Sequence, residues 1–227
     1  YETIPMTFIV RRNQIITITN HHNEYIIQAM KEELKERPDM SLFTFLFSSL
    51  FMITEYYFPK IERLKKEQGL LSQMLRQKTT KKNLFALSDL EIGSVYLVSA
   101  TKQNAIVLEQ LKTQSVFKVL DDVEKEELED SLIEAKQLVE MTSINLQILQ
   151  QLSGTYNNVL NNNLNDTMKL LTVISILLTV PDIVTGFFGM NVQIPFTEHS
   201  HGWGIALGII LAIWILVSVI LGRLMKK

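Results

Sequence analysis

Residues 161 to 191 read NNNLNDTMKLLTVISILLTVPDIVTGFFGMN, and the way this stretch lies on a helix decides the fold. Its apolar part, Leu170 to Phe188, holds one charge, Asp182, and is long enough for a membrane span. At helical pitch, Asn161, Asn165, Met168, Thr172, Ser175, Thr179, Asp182 and Gly186 fall on one stripe, spaced by three and four. Leu170, Val173, Ile174, Ile176, Leu177, Leu178, Val180 and Phe187 occupy the other faces. The span is therefore amphipathic, and a polar stripe in lipid must face protein or water. One helix cannot enclose water, whereas several copies around an axis can. A stripe of small polar residues also serves as helix-packing glue. Asp182 favours the water-lined arrangement, because an intramembrane carboxylate is costly without water or a cation. Pro181 removes a backbone donor and leaves the carbonyl of Leu177 without its helical partner.

The stripe ends at Gly189-Met190-Asn191, with no Lys or Arg nearby. Glycine lets the backbone turn tightly and present bare carbonyls. Asn191 adds a neutral carboxamide oxygen. A ring of such oxygens suits a cation that keeps its water, and Mg²⁺ dehydrates reluctantly. A second apolar run, Trp203 to Gly222, has twenty residues and no charge, about 30 Å of helix. Trp203 opens it at an interfacial position, and Arg223, Lys226 and Lys227 follow it. Lys169 precedes the first span, and the connecting loop, Asn191 to Gly202, has neither Lys nor Arg. The positive-inside bias then puts both chain ends in the cytoplasm and the loop outside.

Composition excludes several classes. The 227 residues are 47% hydrophobic and 20% charged, with most of the charge ahead of residue 170. A net charge of −2 offers no basic footprint for nucleic acid. With no cysteine there are no disulfides, thiolate metal sites or Cys nucleophiles. There is no HExxH, phosphate loop or Ser-His-Asp arrangement, and the His residues sit in two pairs, 21/22 and 199/201, so an enzyme is not expected.

The cytoplasmic part opens with MTFIVRRNQIITITN, residues 6 to 20, which reads as a β-hairpin turning at RRNQ. Two strands alone are marginal, and the chain begins at Tyr1, so further sequence is expected ahead of it. YIIQAMKEELKER reads as a helix stopped by Pro38. Asp39 or Ser41 then caps one long helical run to about Gln68, whose apolar start, Leu42 to Phe51, is too short for a span and reads as a buried helix. A further helix is expected from about Asn83 to Gln114, with Ser88 and Glu91 near its start. From Asp122 there is no proline until Pro181. Leu128, Leu132, Ala135, Leu138, Thr142, Leu146, Leu149, Leu152, Tyr156 and Val159 recur at spacings of three and four, a sustained seam as in a coiled coil. Unbroken to Phe188, this helix would have roughly 65 residues. Gly154 is its weak point, and the Asn-rich segment from 157 reads alternatively as a kinked joint.

The expected fold class is a membrane protein of α+β type. The segments are a cytoplasmic α/β domain over 1–121, a stalk helix over 122–167, a pore-lining span over 168–190, an outer loop over 191–202, a second span over 203–222 and a basic tail over 223–227.

A long stalk, a pore-helix pattern from 161 to 191 closed by GMN, a short acidic loop, a second span and a basic tail resemble the CorA family of divalent-cation channels. FGMN stands where the family most often has YGMN. The match is close from Asp122 to Lys227 and general before it. The resemblance implies a homopentamer in a bacterial-type plasma membrane, with the first spans around the pore and passive entry of Mg²⁺, Co²⁺ or Ni²⁺. It implies that Gly189, Met190 and Asn191 form the selectivity filter, that Met168 and Leu171 form a hydrophobic constriction, and that Asn165 faces the pore just below it. Asp182 stands where many relatives carry a pore-facing Thr. In the family, cytoplasmic Mg²⁺ bound between subunits holds the pore closed. Asp130 aligns with one regulatory carboxylate, Asp89 or Glu91 are candidates for its partner, and Glu198 best matches the outer-loop acidic residue. The alternatives are a zinc-transporting relative, disfavoured by Met190, and a non-conducting two-span coiled-coil scaffold.

Overall fold

The computed structural model describes residues 3–11, 14–190 and 201–225. The chain is mostly helical and forms two compact units, Tyr1–Tyr156 and Asn157–Lys227.

In the first unit, β1 (Thr7–Arg11) and β2 (Gln14–Ile18) pair antiparallel, with Phe8 opposite Thr17 and Ile9 opposite Ile16. The β-branched and aromatic content of both strands suits this pairing. Helix α1 (Glu24–Glu36) stops one residue short of the Arg37-Pro38 step, where proline restricts the preceding backbone. Helix α2 (Leu42–Glu55) is capped by Ser41, whose hydroxyl oxygen accepts from the Thr44 amide at 3.0 Å. Leu46 and Phe47 are buried, as expected of an apolar helix too short to cross a membrane.

The expected single run from Leu42 to Gln68 is two helices. Glu55 ends α2, and α3 (Phe58–Gln77) starts afresh around Pro59, in its first turn. Proline brings no amide hydrogen to continue α2, yet its fixed φ suits the start of a helix. Helix α4 (Lys81–Thr113) has the expected bounds to within two residues. Its cap is Thr80, which accepts from the Asn83 amide at 3.2 Å, so Ser88 and Glu91 lie inside the helix and play no part in starting it.

Helix α5 (Asp122–Phe188) is continuous for 67 residues. A reciprocal capping box starts it: the Glu124 amide donates to Asp121 Oδ1 at 2.8 Å, and the Asp121 amide donates to Glu124 Oε2 at 3.0 Å. Ser41 Oγ also donates to Glu124 Oε1, which links the starts of α2 and α5.

The seam of α5 is filled from within the chain rather than by a coiled-coil partner. Leu128, Leu132 and Ala135 pack with Leu46, Phe47, Ala105 and Leu108 in one core. Leu149 and Tyr156 pack with Leu64, Leu71, Leu75, Leu87, Leu90 and Leu97 in another. Between these cores, the buried Thr101 and Thr142 hydroxyls meet at 3.1 Å. Ion pairs Lys112–Glu129 (2.8 Å) and Glu109–Lys136 (2.7 Å) fix α4 and α5 antiparallel in the same register. The Tyr156 hydroxyl donates to the Ser72 carbonyl at 3.2 Å. Val159, expected as the last seam residue, is exposed, because the core has ended at Tyr156.

In the second unit, α5 continues through Pro181 to Phe188, and α6 (Gly202–Met225) returns along it. Among the described residues, three helices, α4, α5 and α6, are long and apolar enough to cross a membrane. The most apolar window of α4 is 39% buried within the first unit, whereas those of α5 and α6 are 6% and 0% buried. The α4 surface therefore belongs to the domain core, and the α5 and α6 runs remain uncovered within one chain.

Two substitutions on α5 should act in opposite directions. Leu149 is fully buried, so Leu149→Ala should cost about 2–5 kcal/mol. Gly154 is exposed, and a Cβ added there would meet nothing within 4 Å, so Gly154→Ala should stabilise by about 0.5–1 kcal/mol. Urea unfolding of the detergent-solubilised protein, followed by circular dichroism, would measure both shifts.

Candidate pore-lining face

Helix α5 carries its candidate residues on two distinct sides. Val173, Leu177, Val180, Pro181, Val184 and Phe188 are half-buried or buried and share one face. Helix α6 lies on that side, since Trp214 Nε1 donates to the Leu177 carbonyl at 3.2 Å. Asn161, Asn165, Met168, Thr172, Ser175, Thr179, Asp182 and Gly186 are all exposed, on a face roughly 150° away at helical pitch. Leu171, 56% exposed, flanks that stripe. The hairpin thus covers one side of the first apolar run and leaves the polar side bare.

The hydroxyls of the stripe share one orientation. Thr172 donates to the Met168 carbonyl at 2.8 Å, Ser175 to the Leu171 carbonyl at 2.9 Å and Thr179 to the Ser175 carbonyl at 2.8 Å. Back-bonding of this kind occupies the only hydroxyl hydrogen and leaves the oxygen lone pairs free. The stripe consequently presents acceptors over about two turns, followed by the Asp182 carboxylate. Such a surface favours cations, or the hydrogens of water bound to them. At its lower end the Lys169 ammonium is 3.3 Å from the Asp166 carboxylate.

Gly186 and Gly189 differ in what requires them. A Cβ on Gly186 would meet nothing within 4 Å, so this glycine leaves open space on the exposed face. Gly189 follows the last turn of α5, and its amide donates to the Thr185 carbonyl at 2.9 Å. A Cβ there would sit 3.1 Å from the same carbonyl oxygen, a tight contact that would require a shift of a few tenths of an ångström. Met190 is 53% exposed. Asn191 and Glu198 lie outside the described residues.

The regulatory candidates belong to the first unit. Asp130 is exposed on α5. Asp89 is exposed on α4 and rims a shallow apolar groove with Glu67, Leu70, Met74 and Ile92, while Glu91 is half-buried. Among the described residues, no three His, Asp or Glu side chains are placed to hold one metal ion. A divalent ion at Asp130 or Asp89 would need further ligands from water or another chain.

Trp214 is a site residue that the sequence reading misses. Its signal is an aromatic N–H donor in the middle of an apolar run, eleven residues from the interfacial Trp203. Its acceptor can be found only once the two helices are side by side.

The fold and this face define a class: a helix-rich domain whose last helix runs on into a two-helix apolar hairpin, with a polar stripe ending at Gly-Met-Asn. The chain belongs to the family described as CorA-like Mg²⁺ transporter protein, whose model matches residues 1–227. This is a family of transporters and not of enzymes. The chain is 28% identical to the magnesium transport protein CorA of Helicobacter pylori, over 97% of its own length and 70% of that protein's. It is 22% identical to the cobalt/magnesium transport protein CorA of Methanocaldococcus jannaschii, over 93% and 68% of the two lengths. The solved structure of the CorA magnesium transporter from Methanocaldococcus jannaschii superposes with a TM-score of 0.76 at 20% identity, over 96% of this chain and 74% of that one. The family resemblance read from the GMN exit and the stripe is thus borne out.

The contact at Gly189 yields a prediction. Gly189→Ala should displace the chain where it leaves α5 and lower divalent-cation uptake by at least tenfold, with the protein still assembled on size-exclusion chromatography. Gly186→Ala, which meets no atom of its own chain, should assemble normally and change uptake less.

Proposed function

We propose that the chain is one subunit of a homopentameric channel through which hydrated Mg²⁺ passes passively into the cytoplasm. The observation that carries this reading is the exposed acceptor face of α5, with its hydroxyl hydrogens turned inward and its oxygens outward. In this reading α5 and α6 span the membrane and both chain ends are cytoplasmic. Five copies turn their stripes toward a common axis, so that Asn161, Asn165, Thr172, Ser175, Thr179 and Asp182 line water. Met168 and Leu171 form the apolar narrowing near the cytoplasmic mouth.

Gly189, Met190 and Asn191 form the filter at the outer end. Mg²⁺ holds its first water shell tightly, and neutral oxygens can hydrogen-bond to that shell without stripping it. A membrane potential drives a divalent ion inward by roughly 4–5 kcal/mol per 100 mV. The Asp182 ring adds negative potential partway along the path and raises local cation occupancy. Regulation is by cytoplasmic Mg²⁺ between neighbouring subunits, with Asp130 of one chain and Asp89 of another among its ligands. Bound ions hold the pore closed, and their loss frees it.

The deciding experiment is Mg²⁺ uptake into liposomes under an inside-negative potential, comparing the full-length protein with Asn191→Ala. Uptake by the parent and at least a tenfold loss in an assembled variant are expected. Equal uptake in both would remove Asn191 from the mechanism, uptake of Zn²⁺ but not Mg²⁺ would make the chain a zinc-transporting relative, and no divalent flux from either would leave a membrane-anchored scaffold. Asp130→Asn should raise the internal Mg²⁺ concentration needed to stop uptake, with flux at low internal Mg²⁺ unchanged.

A further inference from the structure

Within the hairpin unit, one hydrogen bond joins α6 to a particular weak point of α5. Pro181 has no amide hydrogen, so the Leu177 carbonyl receives nothing from the helix's own ladder. Trp214 Nε1 donates to that carbonyl at 3.2 Å. The side chain one turn further on, Ser218, is half-buried with its hydroxyl oxygen enclosed, so this side of α6 packs inward. In an apolar surrounding no water replaces a lost donor, and an unpartnered carbonyl is costly.

We propose that Trp214 is a positioning residue for the conduction path: its indole N–H replaces the missing Pro181 amide and so fixes the proline step of the pore-lining helix. The step matters because of what lies beyond it. Asp182, Gly186 and Gly189 all follow Pro181, within two and a half turns. The missing Pro181 ladder bond leaves the helix weakest between residues 177 and 181. The indole supplies a donor from a second helix, so the position of the outer segment is referred to α6 rather than to α5 alone. A proline step pinned in this way keeps one bend, and an unpinned one samples several. The proposal rests on the channel reading for its consequence in transport. The bond itself is testable without it.

A double-mutant cycle separates the N–H from the bulk of the ring. Trp214→Phe keeps an aromatic ring and removes the donor. Pro181→Ala restores the backbone donor to Leu177. In the parent background, Trp214→Phe should lower Mg²⁺ uptake roughly two- to tenfold, the scale of one interhelical hydrogen bond in a membrane. In the Pro181→Ala background the same change should have little effect, because the carbonyl already has its partner. The thermal midpoint of the detergent-solubilised assembly should follow the same non-additive pattern. Equal losses from Trp214→Phe in both backgrounds, or none in either, would overturn the proposal.

A spectroscopic measurement covers a variant that fails to assemble. With Trp203→Phe, Trp214 is the only tryptophan, and its indole ¹⁵N–¹H resonance should show a hydrogen-bonded N–H that weakens on Pro181→Ala. A free indole N–H in the Pro181 protein would sink the proposal. If none of the proteins carried any divalent cation, the channel reading would fall, while the midpoint cycle and the indole resonance would still decide the bond.

Discussion

A helix long and apolar enough to cross a membrane has to satisfy its backbone from within, and the hydrogen bonds of α5 follow that constraint. Its start needs no such economy, because Asp121 and Glu124 close the first turn with each other and Ser41 closes the remaining oxygen. From there to Tyr156 one face is buried against α2, α3 and α4. Beyond Tyr156 the same helix loses that support and must stand on its own ladder. Thr172, Ser175 and Thr179 turn their hydroxyls onto that ladder and so add no unpaired donor to it. Pro181 is the one residue that cannot contribute a donor, and it is where a second helix intervenes.

The two sides of α5 in the hairpin unit therefore have separate tasks. Val173, Leu177, Val180 and Val184 meet α6 with apolar surface and one borrowed hydrogen bond. The opposite face keeps its hydroxyl oxygens free to accept. Burial on one side and an exposed polar stripe on the other are compatible on one helix because three- and four-residue spacings keep the two faces apart. A single valine moved into the stripe would interrupt the acceptors, and a threonine moved to the α6 side would gain nothing, since its hydroxyl would still bond one turn back.

Much of this is legible in the residues because it depends on period alone. The buried seam from Leu128 to Tyr156, the exposed stripe from Asn161 to Gly186 and the orphaned Leu177 carbonyl all follow from 3.6 residues per turn and the chemistry of proline. What is not legible depends on which surfaces meet. The seam has the spacing of a coiled coil, but its partners are Leu46, Phe47, Ala105 and Leu108, far away in sequence. The run from Leu42 to Gln68 has helical character throughout, and only the placement of Pro59 in a first turn splits it. Thr80 is not singled out by its sequence neighbours as a cap, and its role shows only in the hydrogen bond it accepts from the Asn83 amide. Trp214 reads as one more apolar residue until α6 is laid against α5.

The GMN exit illustrates how a motif and its physical reason can differ. The sequence suggests glycine there for freedom to turn, and at Gly189 the structure adds a tight contact, the Thr185 carbonyl 3.1 Å from where a Cβ would stand. That carbonyl already accepts the Gly189 amide, so the last turn of α5 is closed by the glycine itself. A larger residue would press on that carbonyl, which would have to give by a few tenths of an ångström. Two contacts about three turns apart therefore act on the outer end of α5, the Gly189 amide on Thr185 and the Trp214 indole on Leu177. The first is local and fixed by residue size. The second comes from another helix, so a shift of α6 along α5 would act directly on the proline step.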